Sequence, residues 1–299
     1  MNPIWFSVGI FLLLAGCVSQ PIPSNIAPSL QNEPAPIPLA VESEGQNPPP
    51  ALTEELVISK QTLRGTLSEN QTWKEEILID GFVFIPENIT LTIEPGTKIK
   101  FKHNRDYKNP QKSGMELGGK LIAIGSPTQP IWFTSDAEKP QNGDWAMIRL
   151  FGKNGSEISY AVIEFGQQGI NLWNSDAKIT HSIVRWNNWE GLYAESYSTP
   201  IIEYNRVYQN GYNGMAMEQF NDATVRNNIF AQNGTHGLHV DASKALVEKN
   251  IFKENGASGL SLDNISSVEA NENTLENNHL FAVQCGEGEN KLTGKENKL

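Results

Sequence analysis

Carboxylates recur at a fixed spacing in the second half of the chain. Trp173, Glu195, Glu218, Asp241 and Asp263 follow one another at steps of 22, 23, 23 and 22 residues. If each stands at the same place on successive turns of a repeat, four acids form a column with a spacing of about 4.8 Å. Adjacent carboxylates at that distance repel by roughly 1–3 kcal/mol. We therefore expect raised pKa values, side chains splayed into water, a bound cation, or use as catalytic acid and base.

The same column supplies candidates for catalysis on carbohydrates. Glu218, Asp241, Asp263 and the neighbouring His239 are the candidate catalytic residues. Glycoside hydrolysis needs two carboxyls about 5 Å apart for retention or about 6.5–9.5 Å apart for inversion, and an acid column offers both. A lyase or epimerase acting on uronates needs a base, for which His239 or Tyr193 would serve. It also needs a cation, and Glu218, Asp241 and Asp263 are the predicted ligands, with Ca²⁺ the expected ion.

Two other interpretations of these residues remain open. Trp173 and Tyr193 can stack on sugar rings, and together with Glu195 they are the predicted substrate-binding residues. Asp241 and Asp263 also stand directly before turn sequences, where an acid is ordinary turn chemistry. The sequence therefore allows catalysis, glycan or cation binding, and a solvated face.

A glycine-led repeat must position this column. Each repeat begins with a glycine followed by apolar, variable, apolar and polar residues, the glycines being Gly169, Gly191, Gly214, Gly237 and Gly259. The alternation has the period of a β-strand. Two further apolar columns recur in each repeat, one through Val184 and one near Ile179 and Ile201. Three short strands per repeat leave too little chain for the helix pairs of α-solenoids, so we predict stacked β-coils that share one core.

Asparagine occupies two positions of nearly every repeat. The first series is Asn205, Asn228, Asn250 and Asn273, with Ser182 before it. The second series is Asn187, Asn210, Asn233, Asn255 and Asn278. Asparagine suits corners, and the first series shares its parity with a buried apolar column. Stacked amides can bond to one another along the axis, which satisfies a polar group that is otherwise costly to bury, so we predict a structural role.

These residues resemble those of the right-handed parallel β-helix, or pectin-lyase-like, family. The resemblance rests on Asn228–Leu238 and Asn250–Leu260, which share the pattern Asn-Ile-Phe-x-x-Asn-Gly-x-x-Gly-Leu, and on Thr90–Phe101 upstream. It implies an all-β fold, a single-stranded right-handed parallel β-helix with three sheets and about 22–23 residues per coil. The fold hosts lyases, hydrolases, epimerases, adhesins and non-catalytic binders. The Trp-Ile-Asp-His stretch of pectate lyases and the Asn-Thr-Asp, Gly-His-Gly and Arg-Ile-Lys motifs of polygalacturonases are absent from the sequence.

The N-terminus resembles a bacterial lipoprotein signal. The apolar run from Ile4 to Ala15 is too short to span a bilayer. Leu13–Cys17 resembles a lipobox, which implies that Cys17 is diacylated and becomes the new N-terminus. In that family, Val18 and Ser19 after the cysteine favour the outer membrane. The resemblance therefore predicts a lipid-anchored protein of the bacterial cell envelope, on its periplasmic or surface side.

Composition divides the chain into an anchor, a tether and one large domain. The predicted segments are a signal peptide at 1–16, a lipidated cysteine and disordered Pro-rich tether at 17–55, a cap at 56–75, the β-helix at 76–285, and a tail or cap at 286–299. The sequence has two cysteines. If Cys17 is acylated, Cys285 has no partner, so no structural disulfide is expected.

Net charge narrows the choice of partner. The chain carries a formal charge of −11, so nucleic acid and anionic membrane surfaces are poor partners, whereas a neutral or cationic one is easier.

The leading hypothesis is an anchored, non-catalytic β-helix that binds carbohydrate or another envelope component. The alternative is a polysaccharide lyase, epimerase or glycoside hydrolase, and a third is a structural spacer. Whether the protein is an enzyme is left open by the sequence.

The lipid anchor can be tested by replacing Cys17. We expect Cys17→Ser to abolish labelling by a radioactive fatty acid and to move the protein from the membrane to the soluble fraction, because the thiol is the acylated group. Cys285→Ser is the matched control and should keep both properties. An unlabelled wild-type protein in the soluble fraction would instead identify an ordinary secretory signal with an incidental cysteine.

Overall fold

The computed structural model describes residues 12–15, 61–105 and 112–299, and every regular element in these ranges is a β-strand. In chain order the strands are β1 (Leu12–Ala15), β2 (Gln61–Thr66), β3 (Gln71–Trp73), β4 (Glu76–Ile85), β5 (Thr90–Ile93), β6 (Lys98–Phe101), β7 (Gly114–Leu117), β8 (Lys120–Ile124), β9 (Ile131–Ser135), β10 (Ile148–Phe151), β11 (Glu157–Ser159), β12 (Ala161–Glu164), β13 (Ile170–Trp173), β14 (Lys178–Thr180), β15 (Ile183–Arg185), β16 (Leu192–Glu195), β17 (Ile201–Glu203), β18 (Arg206–Tyr208), β19 (Met215–Glu218), β20 (Asp222–Arg226), β21 (Ile229–Ala231), β22 (Leu238–Asp241), β23 (Lys244–Glu248), β24 (Ile251–Lys253), β25 (Ser258–Asp263), β26 (Ser267–Asn271), β27 (Thr274–Glu276), β28 (Phe281–Cys285) and β29 (Lys291–Asn297).

The strands stack into three parallel sheets that wind as a solenoid of about nine coils. Sheet 1 runs from β3 through β5, β8, β11, β14, β17, β20, β23 and β26 to β29, whose other edge pairs antiparallel with β1. Sheet 2 stacks β6, β9, β12, β15, β18, β21, β24 and β27, and sheet 3 stacks β7, β10, β13, β16, β19, β22, β25 and β28. The long strand β4 belongs to both sheet 2 and sheet 3 and joins them. The predicted fold class, a right-handed parallel β-helix, is confirmed.

The glycine-led segments form sheet 3 in the predicted register. Ile170 lies opposite Leu192, Leu192 opposite Met215, and Met215 opposite Leu238. These side chains point into the core and are fully buried, as the alternating pattern requires. Every coil thus adds one layer to a continuous apolar interior, which no coil could form alone.

One predicted core position was wrong by a single residue. In sheet 1 the buried residue is Ile202, whereas Ile201 is 38% exposed. The strand runs Ile-Ile-Glu, so the apolar pattern alone does not say which isoleucine faces inward. The register decides, because Ile202 pairs with the buried residues Ile179 and Val225 of the neighbouring coils. A shift of one residue reverses the face of every side chain in a strand.

Both asparagine series form buried ladders along the axis. In the first, the amide Nδ2 of each residue donates to Oδ1 of the next at 3.0–3.1 Å, through Asn205, Asn228, Asn250, Asn273 and Asn297. In the second the distances are 2.9–3.0 Å, through Asn187, Asn210, Asn233, Asn255 and Asn278. Each Oδ1 after the first also accepts from the backbone N–H of the preceding ladder residue, as from Asn205 to Asn228 at 2.9 Å. The predicted structural role is therefore seen directly.

The ends of the described chain take part in the solenoid. In the segment expected to be a cap, β2 and β3 already pair with the first coils. In the segment expected to be a frayed tail or cap, β29 pairs with β26 and Asn297 ends the first ladder. Cys285 is disulfide-bonded, with its partner outside the described residues, so the expectation of no structural disulfide is wrong here.

The predicted N-terminal features lie outside the described residues. Cys17, the tether and most of the signal peptide are among them, and only Leu12–Ala15 of the signal is described, as β1. Within the described residues, no helix is long and apolar enough to span a bilayer.

The first asparagine ladder can be tested at Asn228. Asn228→Ala should lower the free energy of unfolding by about 2–4 kcal/mol, because it leaves the amide of Asn205 and the carbonyl of Ile202 buried without their partner. Urea denaturation followed by circular dichroism measures the loss. Asn142→Ala, in an exposed turn, is the control and should change stability little. Equal effects of both substitutions would contradict the ladder's role.

Candidate functional site

A cleft of about 390 Å³ lies at the corner between sheet 2 and sheet 3. Its lining residues come from three successive coils and are Gln168, Trp189, Glu190, Tyr193, Tyr212 and Glu218. Trp189 and Tyr212 hold the same corner position, two residues before Gly191 and Gly214, and the Tyr212 N–H donates to the Trp189 carbonyl at 3.1 Å. Their rings are 50% and 51% exposed. The corner therefore presents two aromatic side chains, one coil apart, beside a group of acids.

Tyr193 and Glu218 meet inside this cleft. The Tyr193 hydroxyl donates to Oε2 of Glu218 at 2.6 Å, across from one coil to the next. Burial of the phenol, its hydrogen bond to Glu218 and the negative charges of Glu218, Glu195 and Glu190 raise the pKa of Tyr193 far above its usual value. Tyr193 is thus a protonated hydrogen-bond donor, which argues against the base role that the sequence suggested for it.

Two more carboxylates lie close by and are almost completely buried. Glu190 and Glu195 are 8% and 9% exposed. Oε2 of Glu190 accepts from the Gln168 amide at 2.9 Å, and Oε1 of Glu195 accepts from the Asn171 amide at 3.0 Å. Buried carboxylates are tolerated only where hydrogen bonds or charges compensate for lost water, and here neutral amides supply part of that compensation.

The predicted acid column exists at the level of the backbone. Trp173 pairs with Glu195, Glu195 with Glu218, and Asp241 with Asp263. Trp173 lies outside the cleft lining, with its ring 6.3 Å from that of Phe151. The backbone register therefore follows the sequence pattern.

The side chains of the column, however, turn to different partners. Glu218 bonds to Tyr193, Asp241 accepts from the Asn264 amide at 2.8 Å, and Asp263 lies 3.7 Å from Nδ1 of His239. Each of these three side chains therefore has a partner on a neighbouring coil. Among the described residues no group of three or more His, Cys, Asp or Glu side chains is arranged to hold a metal ion, so Glu218, Asp241 and Asp263 do not form a preformed Ca²⁺ site.

The four candidate catalytic residues do not form one group. Glu218 lines the cleft, whereas His239 and Asp263 form a pair on the following coils and Asp241 turns to the corner. Burial raises the pKa of Asp263, opposed by His239 and reinforced by the charges of Asp241 and Glu287. Nδ1 of His239 is buried without a hydrogen-bond partner. The structure therefore brings His239 to Asp263, and neither of them is among the residues that line the cleft with Glu218.

Two longer connections between sheet 2 and sheet 3 lie near this corner. The described part of the first is 102–105 and 112–113, the second is 136–147, and Arg105 binds Asp144 at 2.6 Å to join them. Gly143 N donates to the Gly166 carbonyl at 3.1 Å, which fixes the second connection to the coil that carries Gln168. The second connection is thereby attached next to the corner that carries Trp189 and Tyr212.

Four residues of the cleft lie outside the predicted site residues, namely Gln168, Trp189, Glu190 and Tyr212. Half of the surface of Trp189 is exposed. Their position in the repeat could have indicated them. The two positions before each repeat glycine also stack from coil to coil, as the hydrogen bond from the Tyr212 N–H to the Trp189 carbonyl shows. Tyr193 and Glu195 were predicted, and the structure places Tyr193 in the lining and Glu195 beside it.

Comparison with protein families decides the classification. A pectate-lyase-like β-helix domain model matches residues 64–225, and a right-handed β-helix region model matches residues 168–299. The chain belongs to the pectate-lyase-like β-helix family. Matches to curated proteins are absent.

A solved structure agrees with this β-helix family at the level of the fold. A double mutant of the periplasmic alginate epimerase AlgG is 14% identical, with a TM-score of 0.50, and the match covers 71% of this chain and 61% of that one. This β-helix therefore spans less than two thirds of the epimerase. The A-module of the Azotobacter vinelandii mannuronan C-5 epimerase AlgE6 is 9% identical, with a TM-score of 0.37 and coverage of 80% and 91%.

We expect this β-helix to lose stability in acid because His236 becomes protonated. His236 lies beside His239, with a distance of 5.7 Å between the ring centroids. Burial, assisted by His239, lowers the pKa of His236 from 6.5 to about 4. The unfolded chain therefore takes up this proton first, so stability is lost as the pH falls from about 6.5 towards 4. We expect roughly 1–2 kcal/mol from this group after solvent screening.

Urea denaturation at a series of pH values measures this dependence. His236→Gln should flatten the acid limb of the stability profile, because the titrating group is gone. His279→Gln, at an exposed position, is the control and should leave the limb unchanged. An unchanged limb in His236→Gln would show that His236 does not titrate as described.

Proposed function

We propose that this pectate-lyase-like β-helix binds a polysaccharide in the corner cleft. The observation that carries the proposal is the pairing of two exposed aromatic rings, Trp189 and Tyr212, with a hydrogen-bonding wall that contains Glu190, Tyr193 and Glu218. Sugar rings have an apolar face that stacks on aromatic side chains and a rim of hydroxyls that bonds to acids and amides. The cleft volume of about 390 Å³ lies within the range of about 300–1,000 Å³ of small-molecule sites.

The shape of the solenoid favours a chain-like ligand over a compact one. The aromatic corner column runs along the axis, and each coil repeats the same backbone at a spacing of about 4.8 Å. The fold match with the alginate epimerase supports the same class of ligand, since alginate is a polysaccharide. The identity of 14% transfers neither its residues nor its reaction.

The proposed location is the bacterial cell envelope. The lipobox-like segment that ends at Cys17 supports it, as does the name of the fold neighbour, a periplasmic enzyme. Anchoring at Cys17 remains a prediction from the sequence. The chain has two cysteines, so acylation of Cys17 competes with any disulfide that joins the two, and mass spectrometry of the purified protein distinguishes the states.

A catalytic role is the second candidate, and one observation favours it. Glu190 and Glu218 line the same cleft as Tyr193, whose raised pKa keeps its hydroxyl protonated as a hydrogen-bond donor beside the carboxylates. A carboxylate can act as a base on a sugar, and a neighbouring hydroxyl can orient the reacting oxygen by a hydrogen bond. Incubation with a polysaccharide panel, with and without Ca²⁺, should then give reducing ends, unsaturated ends or epimerised residues that Glu218→Gln no longer produces.

Binding can be tested by removing the aromatic rings. Trp189→Ala and Tyr212→Ala should each weaken the binding of a polysaccharide by about tenfold, because each loses a stacking surface worth roughly 1–2 kcal/mol. Affinity electrophoresis on the same panel, followed by calorimetry with oligosaccharides, measures the change. Trp173→Ala is the matched control, since Trp173 is exposed but lies outside the cleft.

The outcomes of this test separate the sites. Unchanged binding in both cleft variants together with loss in Trp173→Ala would move the site to the column predicted from the sequence. Failure of the wild-type protein to bind any member of the panel would refute the proposal itself. Binding without product would favour a non-catalytic role.

A further inference from the structure

The side-chain hydrogen-bond donors beside the cleft are directed at its acids. The pairs are Gln168 with Glu190, Asn171 with Glu195, and Tyr193 with Glu218. Each donor side chain gives one bond, whereas a carboxylate has two oxygens and accepts up to about four. The wall therefore has acceptor capacity left over, and a ligand that supplies donors would fill it.

Asn171 shows the same shortage of donors. Its side chain is 1% exposed, and Oδ1 is buried without a hydrogen-bond partner. Asn171 lies opposite Tyr193 in the register of sheet 3, outside the residues that line the cleft, and its amide donates to Glu195. A carbonyl oxygen can only accept, and leaving one unpaired is costly.

The negative charge of the cleft also favours a ligand that supplies hydrogen-bond donors. Glu190, Glu195 and Glu218 all act on the Tyr193 hydroxyl, whose raised pKa reflects burial first and then these charges. Within the described residues, no lysine or arginine lines the cleft. Lys112, on the first of the two longer connections, donates to the side chain of Gln167 at 3.1 Å, outside the lining. The site thus has negative charge with no basic side chain in its wall.

We infer that the cleft selects polysaccharides that carry protonated amino sugars, over their N-acetylated forms and over uronates. The inference rests on the proposed polysaccharide site. An ammonium group brings positive charge and three donors, which suits the lining carboxylates Glu190 and Glu218, with the charge of Glu195 close by. The ring of the same sugar stacks on Trp189 or Tyr212. Acetylation removes the charge, and a uronate carboxylate adds repulsion.

The test compares three oligosaccharides of equal length with the full chain. They are a β-1,4-linked glucosamine hexamer, its fully N-acetylated form and a hexamer of uronic acid, in slightly acidic buffer at low salt. We expect the glucosamine hexamer to bind about tenfold more tightly than the acetylated one and the uronate to bind most weakly. Added salt should shrink the difference, because the preference is electrostatic.

Substitutions then locate the preference. Glu190→Gln and Glu218→Gln should each weaken the binding of the glucosamine hexamer about fivefold more than the binding of the acetylated hexamer, because each removes one charge and keeps the shape. Glu276→Gln, on the exposed face of sheet 2, controls for the overall negative charge. Circular dichroism confirms folding, and the salt dependence of the wild type tests the idea without any substitution.

Each outcome bears on one proposal. Equal or tighter binding of the acetylated or uronate hexamer would overturn the inference and leave polysaccharide binding intact. An effect of Glu276→Gln as large as that of the cleft variants would also overturn it, since bulk charge would then suffice. If none of the three hexamers binds and the wider polysaccharide panel also fails, the proposed function fails with it.

Discussion

The dependence of each coil on its neighbours is the constraint from which the rest of the structure follows. A single coil has three short strands and cannot bury its apolar face, so stability comes from stacking. The two asparagine ladders make this stacking specific, because an amide that bonds to the next amide fixes both the distance between coils and their relative rotation. A coil out of register would leave buried amides unpaired at every corner.

The site inherits its geometry from this stacking. Since every coil repeats the same backbone path, residues at equivalent positions form straight columns, and a cleft appears where the columns differ in side-chain size. Trp189 and Tyr212 stand out from the corner, while Ala216 takes the sheet 3 position next to Tyr193. A small residue between larger ones leaves room above it, which allows Tyr193 to reach across to Glu218 on the following coil.

Several acids can be buried in the wall of the cleft because neutral hydrogen-bond donors offset part of the free-energy cost of their burial. Gln168 and Asn171 each satisfy one oxygen of a buried carboxylate, and Tyr193 satisfies one of Glu218. These bonds stabilise the acids without neutralising them, in contrast to the full ion pairs elsewhere, such as Arg105 with Asp144. The wall keeps its negative charge, and this residual charge is the property by which it would select a ligand.

The sequence alone determined the architecture, the stacked asparagines and the column from Trp173 to Asp263, because a period of 22 to 23 residues dictates which backbone positions meet. It did not determine which side chains act together. Glu218 turns to Tyr193 and Asp241 to Asn264, although both hold the same place in the repeat. Likewise, only the register could decide that Ile202 is buried and Ile201 exposed, and only the corner geometry could expose Trp189. Periodicity fixes Cα positions, whereas contacts between unlike side chains on neighbouring coils depend on rotamers and local space that exist only in the folded chain.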